Sequence, residues 1–110
     1  MMDALTKTAT AAFCAKLVPF FDVQQAILFG SRARKTHQAE SDADVAVVLR
    51  GTTGHFLDTK FAMDDLAYEV LLDTGIRIQP LPIWVDEWEH PEHYSNPLLL
   101  INIKAEGLVL

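Results

Sequence analysis

The sequence predicts an α+β domain in which helices pack on a sheet of about four strands. Its 110 residues, half of them apolar and 22% charged, suit one ordinary globular core and exclude a disordered chain. Short β-branched runs alternate with longer stretches of helical period in the order helix, strand, turn, strand, helix, strand, helix. No repeat, low-complexity tract or linker divides the chain, so residues 1–110 read as a single domain.

The first helix is drawn from Leu5, Ala9, Ala12, Phe13, Leu17 and Phe20, which recur at helical spacing until Pro19 closes the element. Gln25–Phe29 is a short apolar run stopped by Gly30-Ser31, a buried strand followed by a turn. Val45–Leu49 is a second strand, ended by the loop composition of Arg50–Gly54. Leu57, Phe61, Tyr68, Leu71 and Leu72 then mark the apolar side of a long helix that Thr74-Gly75 terminates. Ile76–Gln79 alternates as a half-buried strand, and Leu81 and Ile83–Val85 carry it past two prolines that point to an edge or a bulge. Asp86 reads as an N-cap, Leu98–Lys104 as a last helix after Pro97, and Leu108–Leu110 as a terminal strand beyond Gly107.

Charge and cysteine usage narrow the function classes. The formal net charge is −6, with +1 on residues 1–57 and −7 on residues 58–110, so no basic face for nucleic acid is expected. The single cysteine, Cys14, cannot form an internal disulfide, and a cytoplasmic protein is the expectation. No apolar run approaches the roughly 18 residues of a membrane span. His90 and His93 stand three apart but have no cysteine near them and Pro91 between them, so surface placement is expected over a metal pair. The acids of the second half read as solvated faces, with docking of a basic partner as the alternative.

Chemistry concentrates in Gly30-Ser31-Arg32-Ala33-Arg34 and, seven residues on, Asp42-Ala43-Asp44 at the head of the second strand. A glycine at a strand end lets backbone approach a ligand closely, and Ser31 adds a hydroxyl beside backbone N–H groups, an arrangement suited to phosphate. Asp42 and Asp44, two apart on a strand, point to one face, where their repulsion is relieved by a divalent cation that prefers oxygen. Magnesium is the natural candidate. The plainer readings are an N-cap role for Ser31, turn-forming roles for the two aspartates, and a solvated helix face for Arg32, Arg34 and Lys35.

The combination resembles the signature of the nucleotidyltransferase superfamily that includes DNA polymerase β, in its smallest form, the minimal nucleotidyltransferase domain. Gly30, Ser31, Ala33, Ser41, Asp42, Asp44 and Val45 match the pattern position by position, the local match covers about residues 26–49, and the element order extends it over nearly the whole chain. The resemblance implies a mixed, mostly antiparallel sheet. It also implies that Gly30 and Ser31, with Arg32 or Arg34, bind the phosphates of a nucleoside triphosphate such as ATP. Asp42 and Asp44 would be the catalytic carboxylates holding up to two Mg²⁺, for nucleotidyl transfer to a hydroxyl.

Two positions depart from the pattern. Lys35 stands where the family commonly has glycine after the short basic helix, which predicts a slacker turn absorbed by Thr36–Glu40. The strand after the long helix carries Gln79 at the place of a third carboxylate, and an amide supplies neither the charge nor the base strength of an acid. Domains of this size lack the substrate domain of larger relatives, and the resemblance implies action beside a small helical protein of the HEPN class. In such pairs the partner is often an RNase toxin, and the nucleotidyltransferase, as antitoxin, adds AMP to one of its tyrosines. The alternative, which Gln79 supports, is a catalytically silent subunit that neutralises its partner by contact. A small-molecule acceptor is disfavoured for want of an acceptor domain, and no heptad pattern argues for a homodimer.

Overall fold

The computed structural model describes residues 2–110. In chain order the elements are α1 (Ala4–Leu17), β1 (Val23–Phe29), α2 (Ser31–Arg34), β2 (Ala43–Leu49), α3 (Phe56–Thr74), β3 (Ile78–Trp84), α4 (Val85–Glu89), a 3₁₀ turn (Pro91–His93), α5 (Pro97–Glu106) and β4 (Leu108–Val109). The strands form one sheet in the order β3-β2-β1-β4. β1 runs antiparallel to both β2 and β4, whereas β2 and β3 are parallel. A parallel pair needs a crossover, and α3 supplies it. The sheet is therefore mixed and mostly antiparallel, as expected, and β3 with Pro80 and Pro82 is the edge strand its prolines predicted.

Side-chain alternation divides the core in two. Ala43, Val45, Val47 and Leu49 of β2, with Ala26, Leu28 and Ile78, face α1 and α3 and meet Ala9, Phe13, Leu17, Met63, Ala67 and Val70. Ala46 and Val48, with Ile27 and Ile83, face the opposite way and are covered by Tyr94, Leu100 and Ile103. A strand buried on both faces reads as a continuous apolar run rather than an alternating one, which is why Val45–Leu49 shows no period of two.

The helix ends follow local chemistry. Asp3 caps α1 by accepting from the Thr6 backbone N–H at 2.9 Å, and that bond is the first cause holding its carboxyl below the ordinary range. Gly75 ends α3 in the left-handed region at φ 78°, and Asn96 caps α5 through the Leu99 N–H. Asp86 is not an N-cap. It lies in the first turn of α4, where Trp84 is the capping residue and Glu87 Oε1 accepts from its N–H at 3.0 Å. Asp86 lies 2.9 Å from His93 Nδ1 instead, and that hydrogen bond raises the His93 pKa.

The predicted apolar stripe of α1 is met at Ala9, Phe13 and Leu17, whereas that of α3 is turned away from the core. On α1 the buried face is Thr6, Ala9, Thr10, Phe13 and Leu17, and Leu5 and Phe20 lie outside. The same face brings the Thr6 hydroxyl to a buried guanidinium, that of Arg32, an interaction that apolar periodicity does not encode. On α3 the buried residues are Met63, Ala67 and Val70, and Leu57, Phe61, Tyr68 and Leu72 face out. Ala67 lets α3 approach the sheet between Met63 and Val70, and the second apolar stripe is left on the far side.

Tyr94 provides a test of the second core layer. Burial, with the Glu87 charge adding to it, pushes its phenol up to about 12, above the value near 10 of an unfolded chain. A raised folded-state pKa means that the unfolded chain ionises first, so stability is intact below pH 10 and falls as pH rises toward about 12. Urea denaturation at pH 8 and pH 11 should show a loss in the native chain that is smaller in Tyr94→Phe; equal losses in the two would overturn the assignment.

Candidate active site

The candidate residues converge where the second core layer stops. Along β2 the row Val48, Ala46 lies under α5, and the next residue on that face, Asp44, projects past it, with Asp42 one step further. Antiparallel register sets Phe29 opposite Asp44 on one side, and parallel register sets Gln79 opposite Asp44 on the other. Registered neighbours share a face, so Gln79 stands beside Asp44 at the position expected for the third acid. The Ala43 N–H donates to the Arg77 carbonyl at 2.9 Å, which places Arg77 one step before Gln79 on the adjoining strand end, next to Asp42.

Gly30 makes the site possible sterically. Its φ of 75° and ψ of −155° fall in a region essentially reserved for glycine, and a Cβ there would run into Asp44 Oδ2. The Asp44 carboxyl is held above the ordinary aspartate range, first by burial and then by the charge of Asp42, with Arg34 opposing. Among the described residues no three His, Cys, Asp or Glu side chains converge on a metal. Two carboxylates under mutual repulsion, beside an amide oxygen, still form a hard-oxygen set, and the charge pressure on Asp44 is the observation that fits a divalent cation.

The basic segment splits. Gly30, not Ser31, is the N-cap of α2 and makes no side-chain cap bond, so Ser31 is the first helical residue. Arg34 is exposed, lies 3.5 Å from Glu106 Oε2, and acts electrostatically on Asp44. Arg32 does not join Arg34 as an anion-facing residue. It is 3% exposed, and it donates through Nε to the Ser41 carbonyl at 3.0 Å, through Nη1 to Thr6 Oγ1 at 2.9 Å, and through Nη2 to the Gln38 and Ala39 carbonyls. It positions the segment that leads into Asp42 by tying it to α1 and α2. His37 Nε2, 3.0 Å from Asp3 Oδ2, is a second tie between that loop and α1. The turn after α2 is tight without glycine, because Lys35 itself adopts the left-handed conformation at φ 60°, at about 1 kcal/mol.

Two cavities lie near this end of the sheet, one beside Gly30 and one beside Gln79, and neither is lined by Asp42 or Asp44. One, of about 250 Å³, is lined by Phe29, Gly30, Arg34, Leu99, Asn102 and Glu106, together with Ile103, between α2 and α5. The other, of about 300 Å³, is lined by Lys60, Asp64, Tyr68, Arg77 and Gln79, with Ala67 and Ile78, between α3 and the head of β3. Sequence reasoning missed Asn102, Tyr68 and Lys60 as cavity residues. Asn102 left a trace, as the one polar residue within the apolar stretch from Leu98 to Ile103; Lys60 and Tyr68 look like ordinary helix-surface residues until α3 is placed beside β3.

Comparison with known proteins agrees with this geometry. The family model described as "Polymerase beta, Nucleotidyltransferase" matches residues 14–80, more than half of the chain and the span from α1 to the Gln79 region. Three chains among the solved structures match. One of them, a crystal structure of a "putative nucleotidyltransferase" from Sulfolobus solfataricus, has a TM-score of 0.55 at 13% identity, over 99% of this chain and 87% of that one. That likeness is one of fold. No curated protein matches at a significant level.

Substitution at Gly30 tests the close approach. Gly30→Ala should lower stability by about 1–3 kcal/mol from backbone strain and displacement of Asp44, measured by urea denaturation. Adding Asp44→Ala should recover the steric part and leave the strain. A Gly30→Ala protein as stable as the native chain would refute the geometry.

Proposed function

The chain belongs to the polymerase beta nucleotidyltransferase family, and on that premise we propose that it binds a nucleoside triphosphate, ATP foremost, and transfers AMP to a protein hydroxyl. The acceptor in this reading is a tyrosine of a small helical HEPN-type RNase toxin in the cytoplasm, for which the chain acts as antitoxin. The observation that carries the reading is the convergence of Gly30, Asp44 and Gln79 at one uncovered sheet end, with one cavity reaching Gly30 and another reaching Gln79.

Each residue then has a task. The cavity beside Gly30 and Arg34 takes the triphosphate, with the Ser31 hydroxyl and the Arg34 guanidinium as donors to its oxygens. Asp42 and Asp44 would hold Mg²⁺, which would neutralise phosphate charge; the acceptor hydroxyl oxygen bonds to the α-phosphorus as the bond to the departing pyrophosphate breaks. The cavity beside Gln79 and Tyr68 admits the acceptor. Gln79 orients by hydrogen bonding and takes no proton, so the acceptor's proton passes to solvent water and transfer by the native chain is slow.

A second reading rests on the same Gln79. With an amide beside Asp44 in place of a third acid, the protein neutralises its partner by contact alone. The two readings separate by the intact mass of a HEPN-type partner protein incubated with this chain, ATP and Mg²⁺. Transfer predicts a gain of one adenylyl group, lost in Asp42→Ala/Asp44→Ala. Gln79→Asp should raise the rate about 100-fold, the lower end of what a positioned acid–base group contributes. An unchanged partner mass with the native chain rejects transfer and favours contact.

A further inference from the structure

The outward face of α3 is apolar where a surface helix is ordinarily polar. Leu57, Phe61, Tyr68 and Leu72 are 52%, 58%, 58% and 67% exposed, and their spacing of four, seven and four residues keeps them on one line of the helix. That line is about 22 Å long at the rise of an α-helix, four turns. The inner face is already satisfied by Met63, Ala67 and Val70, so α3 carries a second apolar stripe that nothing in the described chain covers. Contiguous exposed apolar surface of this kind marks an interaction site.

The stripe is not isolated. On one flank Phe20, also exposed, joins Phe21, Ala62, Asp65 and Leu66 around a cavity of about 260 Å³. On the other flank Tyr68 belongs to the cavity that reaches Arg77 and Gln79. The apolar surface therefore runs from the turn after α1, across α3, to the mouth of the candidate site.

Charge selects the occupant. α3 bears Asp58, Asp64, Asp65, Glu69 and Asp73 against Lys60 alone. Lys60 is engaged by Asp64 at 3.0 Å and Glu69 by Lys16 at 3.4 Å, while Asp65 and Asp73 have no ion-pair partner among the described residues. A second copy packed face to face would oppose like charges, and an anionic membrane or nucleic acid would be repelled. A helix whose apolar ridge is flanked by Lys and Arg matches both the stripe and its rim.

We propose that the outward face of α3 is a docking surface for a basic amphipathic helix of another protein, and that docking there delivers the partner's acceptor to the cavity beside Gln79. The delivery half rests on the transfer reading above; the docking half does not. The probe is an 18-residue lysine–leucine peptide with leucines at helical spacing, titrated into the full chain by fluorescence anisotropy, with a glutamate–leucine peptide of the same pattern as control. The cationic peptide should bind, the anionic one should not, and Phe61→Ser/Leu72→Ser should weaken binding about tenfold or more with an unchanged melting temperature. Asp42→Ala/Asp44→Ala should bind the peptide as the native chain does, so failure of transfer and failure of docking are read separately. Absence of binding, equal binding of both peptides, or binding indifferent to Phe61→Ser/Leu72→Ser overturns the proposal. So does a dimer in sedimentation equilibrium that the same double variant dissociates, which would make a second copy the occupant.

Discussion

β2 is hydrogen-bonded along both edges, antiparallel to β1 and parallel to β3, and Val45–Leu49 is buried on both faces. Such a strand folds only if apolar cover arrives from both sides, because neither its backbone nor its side chains can be left to water. The helices divide accordingly, α1 and α3 on one face and α5 with the 3₁₀ turn on the other. The cover on the α5 side ends before the strand does. Asp44 and Asp42 occupy that uncovered beginning, and the chemistry of the site is a consequence of where α5 stops.

The same strand explains why the acids are held under electrostatic pressure. Asp44 is next to a buried apolar row and two residues from Asp42, so burial and like charge act in one direction and only Arg34 opposes them. Gly30 permits the approach by lacking the one atom that would collide with the carboxylate. Arg32 keeps the segment before Asp42 in place by spending its donors on backbone carbonyls and Thr6 rather than on a ligand. The two arginines of a four-residue helix thus do different work, one inside and one outside, since helical positions two residues apart diverge by about 200°.

α3 shows how an apolar pattern can be correct in its period and wrong in its direction. Leu57, Phe61, Tyr68 and Leu72 form a true helical stripe, yet the sheet is met by Met63, Ala67 and Val70. Two apolar faces on one helix make periodicity ambiguous, and only the contact with the sheet decides between them. The larger ones are the surface from which a basic helical partner is inferred.

Local pattern was enough for the order of elements, the edge position of the proline-bearing strand, the glycine stop of α3 and the Gly-Ser and Asp-x-Asp pieces of the site. These depend on residues close together in the chain, on backbone freedom, missing N–H groups and alternation. Gln79 was assigned to the third position by the family resemblance, and parallel register sets it beside Asp44. The inward turn of Arg32, the left-handed Lys35, the burial of Thr6 on α1, the choice of face on α3, and the two cavities were decided by tertiary structure. Each depends on partners distant in sequence, such as Thr6 for Arg32 or β3 for Tyr68, whose proximity no local period records.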